Sequence, residues 1–257
     1  PPDSSLDAWI DLNRGVRSLL RRGRFVLFTD DAVGAREEES LQHLTANLGP
    51  EADLSHVVPF LTCKHTLDYC LLFARRAASR GLGGLTVTGG DGSVGPPRCV
   101  PRSRDLRHLI RAQAPDLPLG TWVNPYRDPV EQVDLLMDPD HSADYYLTQV
   151  VSHHRPEPLD KFLEEAALRG LEMPGLFGVF YYRSGNRATL ERFSQFIPVP
   201  AEGLLAEFAQ GISADEVCAR TLRALASRGI EGAYVSNLKP LRAEEGLEAI
   251  NGLMSGG

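Results

Sequence analysis

The sequence predicts an α/β fold of the (β/α)8 TIM-type barrel class, read one strand short, and three observations carry that prediction. Short apolar runs rich in β-formers alternate with helix-patterned segments along the whole 257 residues. The apolar runs show little polar alternation, as strands do when both faces of a parallel sheet are covered. Several helical segments end at a glycine just before the next apolar run, the sequence form of right-handed βα crossovers.

The candidate strands are 24–29 (RFVLFT), 56–61 (HVVPFL), 84–89 (GLTVTG), 118–123 (PLGTWV), 144–150 (DYYLTQV), 174–180 (PGLFGVF) and 231–236 (EGAYVS). Helical patterning covers about 5–22, 35–48, 66–80, 103–114, 158–169, 201–210 and 213–228. Ser213 and Glu216 form an S-x-x-E capping box, which offers partners to two orphan amides at a helix start. Gly81, Gly170 and Gly229 stand where helices close and a left-handed residue is needed. Strict βα alternation allows an open doubly wound sheet or a closed barrel. No G-x-G-x-x-G follows an early strand, so a dinucleotide-binding start is unsupported. Seven strands are counted, and a helical segment precedes the first, as though one βα unit had lost its strand. The expectation is a single barrel domain over 1–257 lacking strand one.

Composition narrows the function classes. The formal net charge is −7, with 42% hydrophobic and 24% charged residues, an ordinary globular balance without general attraction to nucleic acid or anionic membrane. The basic run Arg21-Arg22-Gly23-Arg24 reads as a solvated helix end, where cations suit the dipole. Cys63, Cys70, Cys99 and Cys218 form no CxxC pair, and Cys70 and Cys218 lie in apolar helical stretches as small core residues. No apolar run reaches the roughly 18 residues of a membrane span, and a cytoplasmic location is the default.

In a barrel the working residues stand at strand carboxyl ends and in the loops that follow. Those positions hold Thr29, Asp30 and Asp31; Thr62 and Lys64; Thr88, Gly90 and Asp91; Asn124, Tyr126 and Asp128; Thr148 and Gln149; Tyr181 and Tyr182; and Ser236, Asn237 and Lys239. There is no HExxH, GxSxG or P-loop. Asp91 follows two glycines, which lets a carboxylate approach a ligand closely, or serves only its own turn amides. Gln149 ends a strong strand and can donate and accept at a heterocycle edge, or sit as a satisfied polar residue of the sheet. Tyr181-Tyr182 suit stacking on a planar ring or a structural rim role. Lys64-His65 and His153-His154 read as loop pairs; the second faces solvent, because adjacent residues point apart and no third ligand has helpful spacing. No metal site is expected.

Seven segments in order resemble the methylenetetrahydrofolate reductase family. FVLFTDDAVGAREEES (25–40) is similar to that family's second strand and loop, VPFLTCKHT (58–66) to its HLTC strand, and GLGGLTVTGGD (81–91) to its Gly-Ile-x-x-Ile-x-x-Leu-Arg-Gly-Asp. WVNPYRDP (122–129), SADYYLTQVV (142–151), FLEEAALRGLEMPGLFGVF (162–180) and IEGAYVSNL (230–238) resemble its later segments, through the Thr-Gln strand to the final strand. The chain opens Pro1-Pro2, where the family carries Glu-Phe-x-Pro-Pro. The resemblance therefore places strand one, with the Glu that protonates N10, upstream of residue 1.

The resemblance implies a reductase that converts 5,10-methylenetetrahydrofolate to 5-methyltetrahydrofolate by hydride transfer. It implies Asp91 as the catalytic carboxylate that stabilises the iminium cation and Gln149 as the pterin-contacting amide. Asn124 and Tyr181 are further substrate-binding candidates, and Thr29 and Thr88 are cofactor-side candidates. Where the family holds its flavin, this chain has Asp30, Phe60 and Gly89, and Met137-Asp138 replaces a basic pair. Loss of cationic phosphate contacts weakens a pyrophosphate site, so FAD is doubtful and NADH or NADPH is expected to supply hydride directly. The expected partner is a small folate, and a homo-oligomer is compatible with the reading. The alternatives are a pterin-dependent methyl-transfer or demethylation protein, and a degenerate barrel that binds folate without catalysis.

Overall fold

The computed structural model describes residues 6–29, 47–49, 52–92 and 95–255. Among these, seven strands form: β1 Val26–Phe28, β2 Val57–Thr62, β3 Leu85–Thr88, β4 Leu119–Val123, β5 Tyr145–Val151, β6 Gly175–Phe180 and β7 Ala233–Ser236. Each falls within a residue or two of an apolar run read from the sequence. The strands are parallel and stand in chain order from β1 to β7. A doubly wound sheet reverses its order at a switch point; consecutive order belongs to the singly wound, TIM-barrel-like α/β class.

The helices are α1 Leu6–Arg21, α2 Leu67–Ser79, α3 Ser103–Gln113, α4 Pro129–Met137, α5 Glu157–Leu168, α6 Arg187–Phe193, α7 Ala201–Ala209, α8 Ala214–Ala226 and α9 Ala243–Ser255. Most of the expected 35–48 helix, with Asp30 and Asp31, lies outside the described residues. Helices α4, α6 and α9 are additions to the sequence reading. Helix α4 starts by a clear local rule: Asp128 accepts the Glu131 amide at 3.1 Å, and Pro129 fills the first turn, where its missing N–H costs nothing. Gly81 (φ 68°) closes α2 as expected, its amide bonding the Ala78 carbonyl while the Leu82 amide reaches back to Ala77. The Ser213 cap forms, with the Glu216 amide 3.1 Å from its hydroxyl; the Glu216 carboxylate instead takes Arg220 and Arg223.

The chain divides into two compact units. The first comprises Pro1–Trp122 and Pro139–Tyr146; the second comprises Val123–Asp138 and Leu147–Gly257. In the first, Val57, Leu61, Leu85, Val87 and Leu119 of the strands pack with Cys70, Ala74, Leu106 and Ile110 of α2 and α3. Tyr145 lies across two glycines there: a Cβ at Gly120 would stand 2.3 Å from the tyrosine ring, and its hydroxyl is 3.1 Å from Thr86 Oγ1. The second unit uses the same device. The Tyr234 ring covers Gly178, and its hydroxyl donates to the Thr148 carbonyl at 2.6 Å. Tyr182, Leu190, Leu204 and Val217 build a core cluster beside it.

The first unit's core also holds a cation. Arg107 on α3 is fully buried, and its guanidinium donates to the His141 carbonyl (3.0 Å), Thr121 Oγ1 (3.2 Å) and Ser103 Oγ (3.3 Å). Burial pulls it down to about 10, so it remains a cation at neutral pH. No described helix is long and apolar enough to cross a membrane.

Candidate functional site

Strand carboxyl ends in the first unit carry Thr29, Thr88 and Asp91. Thr29 directly follows β1 and is exposed. Thr88 ends β3 in register with Thr62 of β2, so two hydroxyl residues stand side by side. The chain then turns through Gly90, whose φ of 69° is the left-handed conformation glycine tolerates, and presents Asp91 at the surface. The Cys63 amide donates to the Thr88 carbonyl at 3.0 Å, and the Cys99 amide to the Cys63 carbonyl at 2.7 Å. That pairing returns residues 95–99 over the turn.

It also returns a cation. The Arg98 guanidinium donates to the Gly90 carbonyl at 2.9 Å, and its central carbon lies 2.9 Å from where a Cβ at Gly89 would stand. Gly89 therefore does not leave this position without positive charge, as its substitution suggested; the charge arrives from nine residues further along. Lys64 and His65 also differ from a solvated loop pair, since both are buried. Lys64 Nζ donates to the Pro96 carbonyl at 2.9 Å, and His65 stacks at 4.8 Å on Tyr69. Burial, with the neighbouring Cys99, pushes the Cys63 thiol up to about 12, which closes it to thiolate chemistry.

The second unit carries Asn124, Gln149 and Tyr181, and each has a structural task. Asn124 follows β4; its side-chain oxygen accepts the Tyr126 amide at 3.0 Å, an Asx turn, while its amide donates to Gln132 at 2.8 Å. The Gln149 oxygen accepts the next amide, that of Val150, at 2.9 Å. Tyr181 follows β6 and donates to Asp215 of α8 at 2.7 Å. Burial, then that carboxylate, push its phenol up to about 12, so it holds its proton at neutral pH. Its neighbour Tyr182 is buried in the core cluster rather than at a wet rim.

The second unit also holds a constellation that sequence spacing concealed. His153 and His154 do not point apart: strand alternation ends with β5, and a turn built on Ser152 brings the ring centroids to 4.0 Å. Both reach Glu207 of α7, His153 Nε2 at 3.3 Å and His154 Nε2 at 3.0 Å. Arg220 of α8 donates to the same carboxylate at 2.6 Å. Neither histidine faces solvent, with side chains 18% and 16% exposed. Burial lowers the His153 affinity for a proton, and the adjacent His154 adds to this. Burial acts to raise Glu207, but the Arg220 bond and the imidazoles outweigh it and hold it below the ordinary range.

No family model matches the chain, and no curated protein matches it. Solved structures do. An uncharacterized protein from Clostridium thermocellum that binds two copies of 5-methyl-5,6,7,8-tetrahydrofolic acid is 17% identical, with 93% of this chain and 97% of that chain covered, at a TM-score of 0.50. DHDPS from Cyanidioschyzon merolae, solved with lysine bound, is 13% identical over 96% of this chain and 91% of that chain, at a TM-score of 0.42. At these identities the likeness concerns the fold, and the second is too low to argue from.

Proposed function

We propose that the chain binds a reduced folate and reduces 5,10-methylenetetrahydrofolate with a reduced nicotinamide. The observation that supports this reading is positional. Most candidate residues stand at the end of a strand or in the turn after it: Thr29 after β1, Thr88 and Asp91 at β3, Asn124 after β4 and Tyr181 after β6, with Gln149 inside β5 near its end. These are the positions from which α/β barrels build sites. The similar Clostridium thermocellum protein binds two copies of 5-methyl-5,6,7,8-tetrahydrofolic acid, which agrees with the product of the proposed reaction.

Chemically, protonation at N10 opens the imidazolidine ring and leaves an N5-methylene iminium cation. Hydride from the dihydronicotinamide reduces that carbon to a methyl group, and the nicotinamide becomes oxidised. Asp91 is the group we assign to stabilise the cation, a fixed charge facing developing charge. Gln149 retains amide N–H donors for a pterin edge while its oxygen holds Val150. FAD is no part of the proposal. At the family's flavin positions within the described residues, Phe60 packs edge-on to Trp122 at 5.9 Å, and the space above Gly89 is filled by Arg98.

NADH and NADPH oxidation with 5,10-methylenetetrahydrofolate, followed by product analysis for 5-methyltetrahydrofolate, tests the reading. Asp91→Ala is expected to lower turnover by about 100-fold and to perturb folding far less, because Asp91 is exposed. Equal turnover in the two proteins defeats the assignment of Asp91. Methyl transfer without nicotinamide, or folate binding without turnover, replaces the reductase by one of its two rivals.

A further inference from the structure

We infer that His153, His154 and Glu207 form a binding site for one divalent transition-metal cation of the zinc type. Among the described residues, one ligand atom from each lies within 4.8 Å of the others. Zinc bonds of about 2.0–2.2 Å place neighbouring ligand atoms of a tetrahedron about 3.3 Å apart. His153 Nε2 lies 3.3 Å from Glu207 Oε1, on the scale of that edge, and His154 Nε2 lies 3.0 Å from Oε2 of the same carboxylate.

The surroundings are arranged as a metal site requires. Gly203 and Glu207 are i and i+4 on α7 and so share a face. A Cβ at Gly203 would lie 2.4 Å from His154 Nδ1; the missing side chain is what lets that ring lie against the helix and aim Nε2 at Glu207. The other ring is held from behind, with His153 Nδ1 2.8 Å from Thr221 Oγ1 on α8. The Thr221 hydroxyl has a donor outlet of its own at the Val217 carbonyl, 3.4 Å away. Thr221 can pair with either neutral tautomer of His153, and the one that carries its proton on Nδ1, donated to Thr221, leaves the Nε2 lone pair for a cation. Arg220 meets Glu207 on the oxygen that faces His153, and Glu216 draws Arg220 in turn at 3.1 Å. This is the outer-shell bonding that orients a ligating carboxylate.

Two imidazoles select zinc, cobalt, nickel or copper over magnesium and calcium, which prefer all-oxygen shells. Three protein ligands leave a fourth position for water or an exogenous anion, as in open zinc sites. The site stands apart from the folate reading and survives its failure.

Titration of chelator-stripped protein with cobalt(II) tests the inference. One equivalent is expected to bind with the intense visible bands of a tetrahedral ion, and zinc is expected to displace it. His153→Ala and His154→Ala should each lower affinity by more than about 100-fold, since even outer-shell losses cost about 10–100-fold. Thr221→Val should fall in that outer-shell range, and His108→Ala, on α3, should bind as the parent does. A second measurement needs no variant: zinc should shift the ring resonances of His153 and His154 in the parent protein. Only the weak spectrum of hydrated cobalt, unmoved resonances at saturating zinc, or parent-like affinity in a folded His154→Ala protein would overturn the site.

Discussion

Arg107→Ala is expected to destabilise the protein by about 3–5 kcal/mol, measured as a shift in the denaturant or thermal unfolding midpoint. Two costs add. The long side chain fills space between α3 and β4, and truncating a side chain of comparable length in a core costs about 2–5 kcal/mol. The acceptors it leaves, the His141 carbonyl and Thr121 Oγ1, are buried beside it. A buried acceptor stripped of its donor costs about 1–3 kcal/mol. Arg107→Met separates the two, because it keeps the volume and loses only the donors; its expected loss is about 1–3 kcal/mol. If alanine and methionine both cost under about 1 kcal/mol, the guanidinium is not the fixture of this core that its bonds suggest.

That cation shows where sequence reading stops. Parallel strands read as continuous apolar runs, so all seven were legible, each bounded by a turn or a helix-closing glycine. Helix periodicity placed α3 correctly too, but 102–111 contains four arginines and one histidine, and nothing in the pattern says which arginine turns inward. Only the stripe Ser103, Arg107, Ile110, Ala114 marks it, and a charged residue in such a stripe is ordinarily read as an interruption. Helix α4 had its signal, Asp128-Pro129, a cap followed by a first-turn proline, yet it is not among the helical segments read from the sequence. The metal-type constellation was harder. Glu207 lies 53 residues beyond His154, and the decisive cue is an absence, the missing side chain of Gly203. Local spacing cannot express a contact made by two helices folding onto one turn. Arg98 makes the same point in the first unit: a charge lost at one sequence position is restored in space by a loop that pairs back through Cys99.

The second large effect falls on Gly120, whose substitution by alanine should cost about 2–4 kcal/mol. A new Cβ would sit 2.3 Å from the Tyr145 ring, 2.5 Å from its Cζ and 2.8 Å from its hydroxyl, all far inside contact distance. β4 is fixed here by its ladder to β3, with Thr86 opposite Gly120, so the strand cannot retreat without breaking pairing. The ring must move instead. Forcing a core side chain aside costs about 1–3 kcal/mol, and displacement also strains the hydroxyl's 3.1 Å bond to Thr86, worth about 0.5–1.5 kcal/mol. The same hydroxyl also lies close over Gly84, where an added Cβ would stand 3.0 Å from it. The mechanism makes a sharper claim than a lower melting temperature. If the clash with the ring is the cause, Gly120→Ala should cost much less in a Tyr145→Ala background, giving a coupling of at least about 1 kcal/mol in a double-mutant cycle. Strictly additive losses would mean the alanine harms the strand itself, and the tyrosine-over-glycine packing would not be what it disturbs.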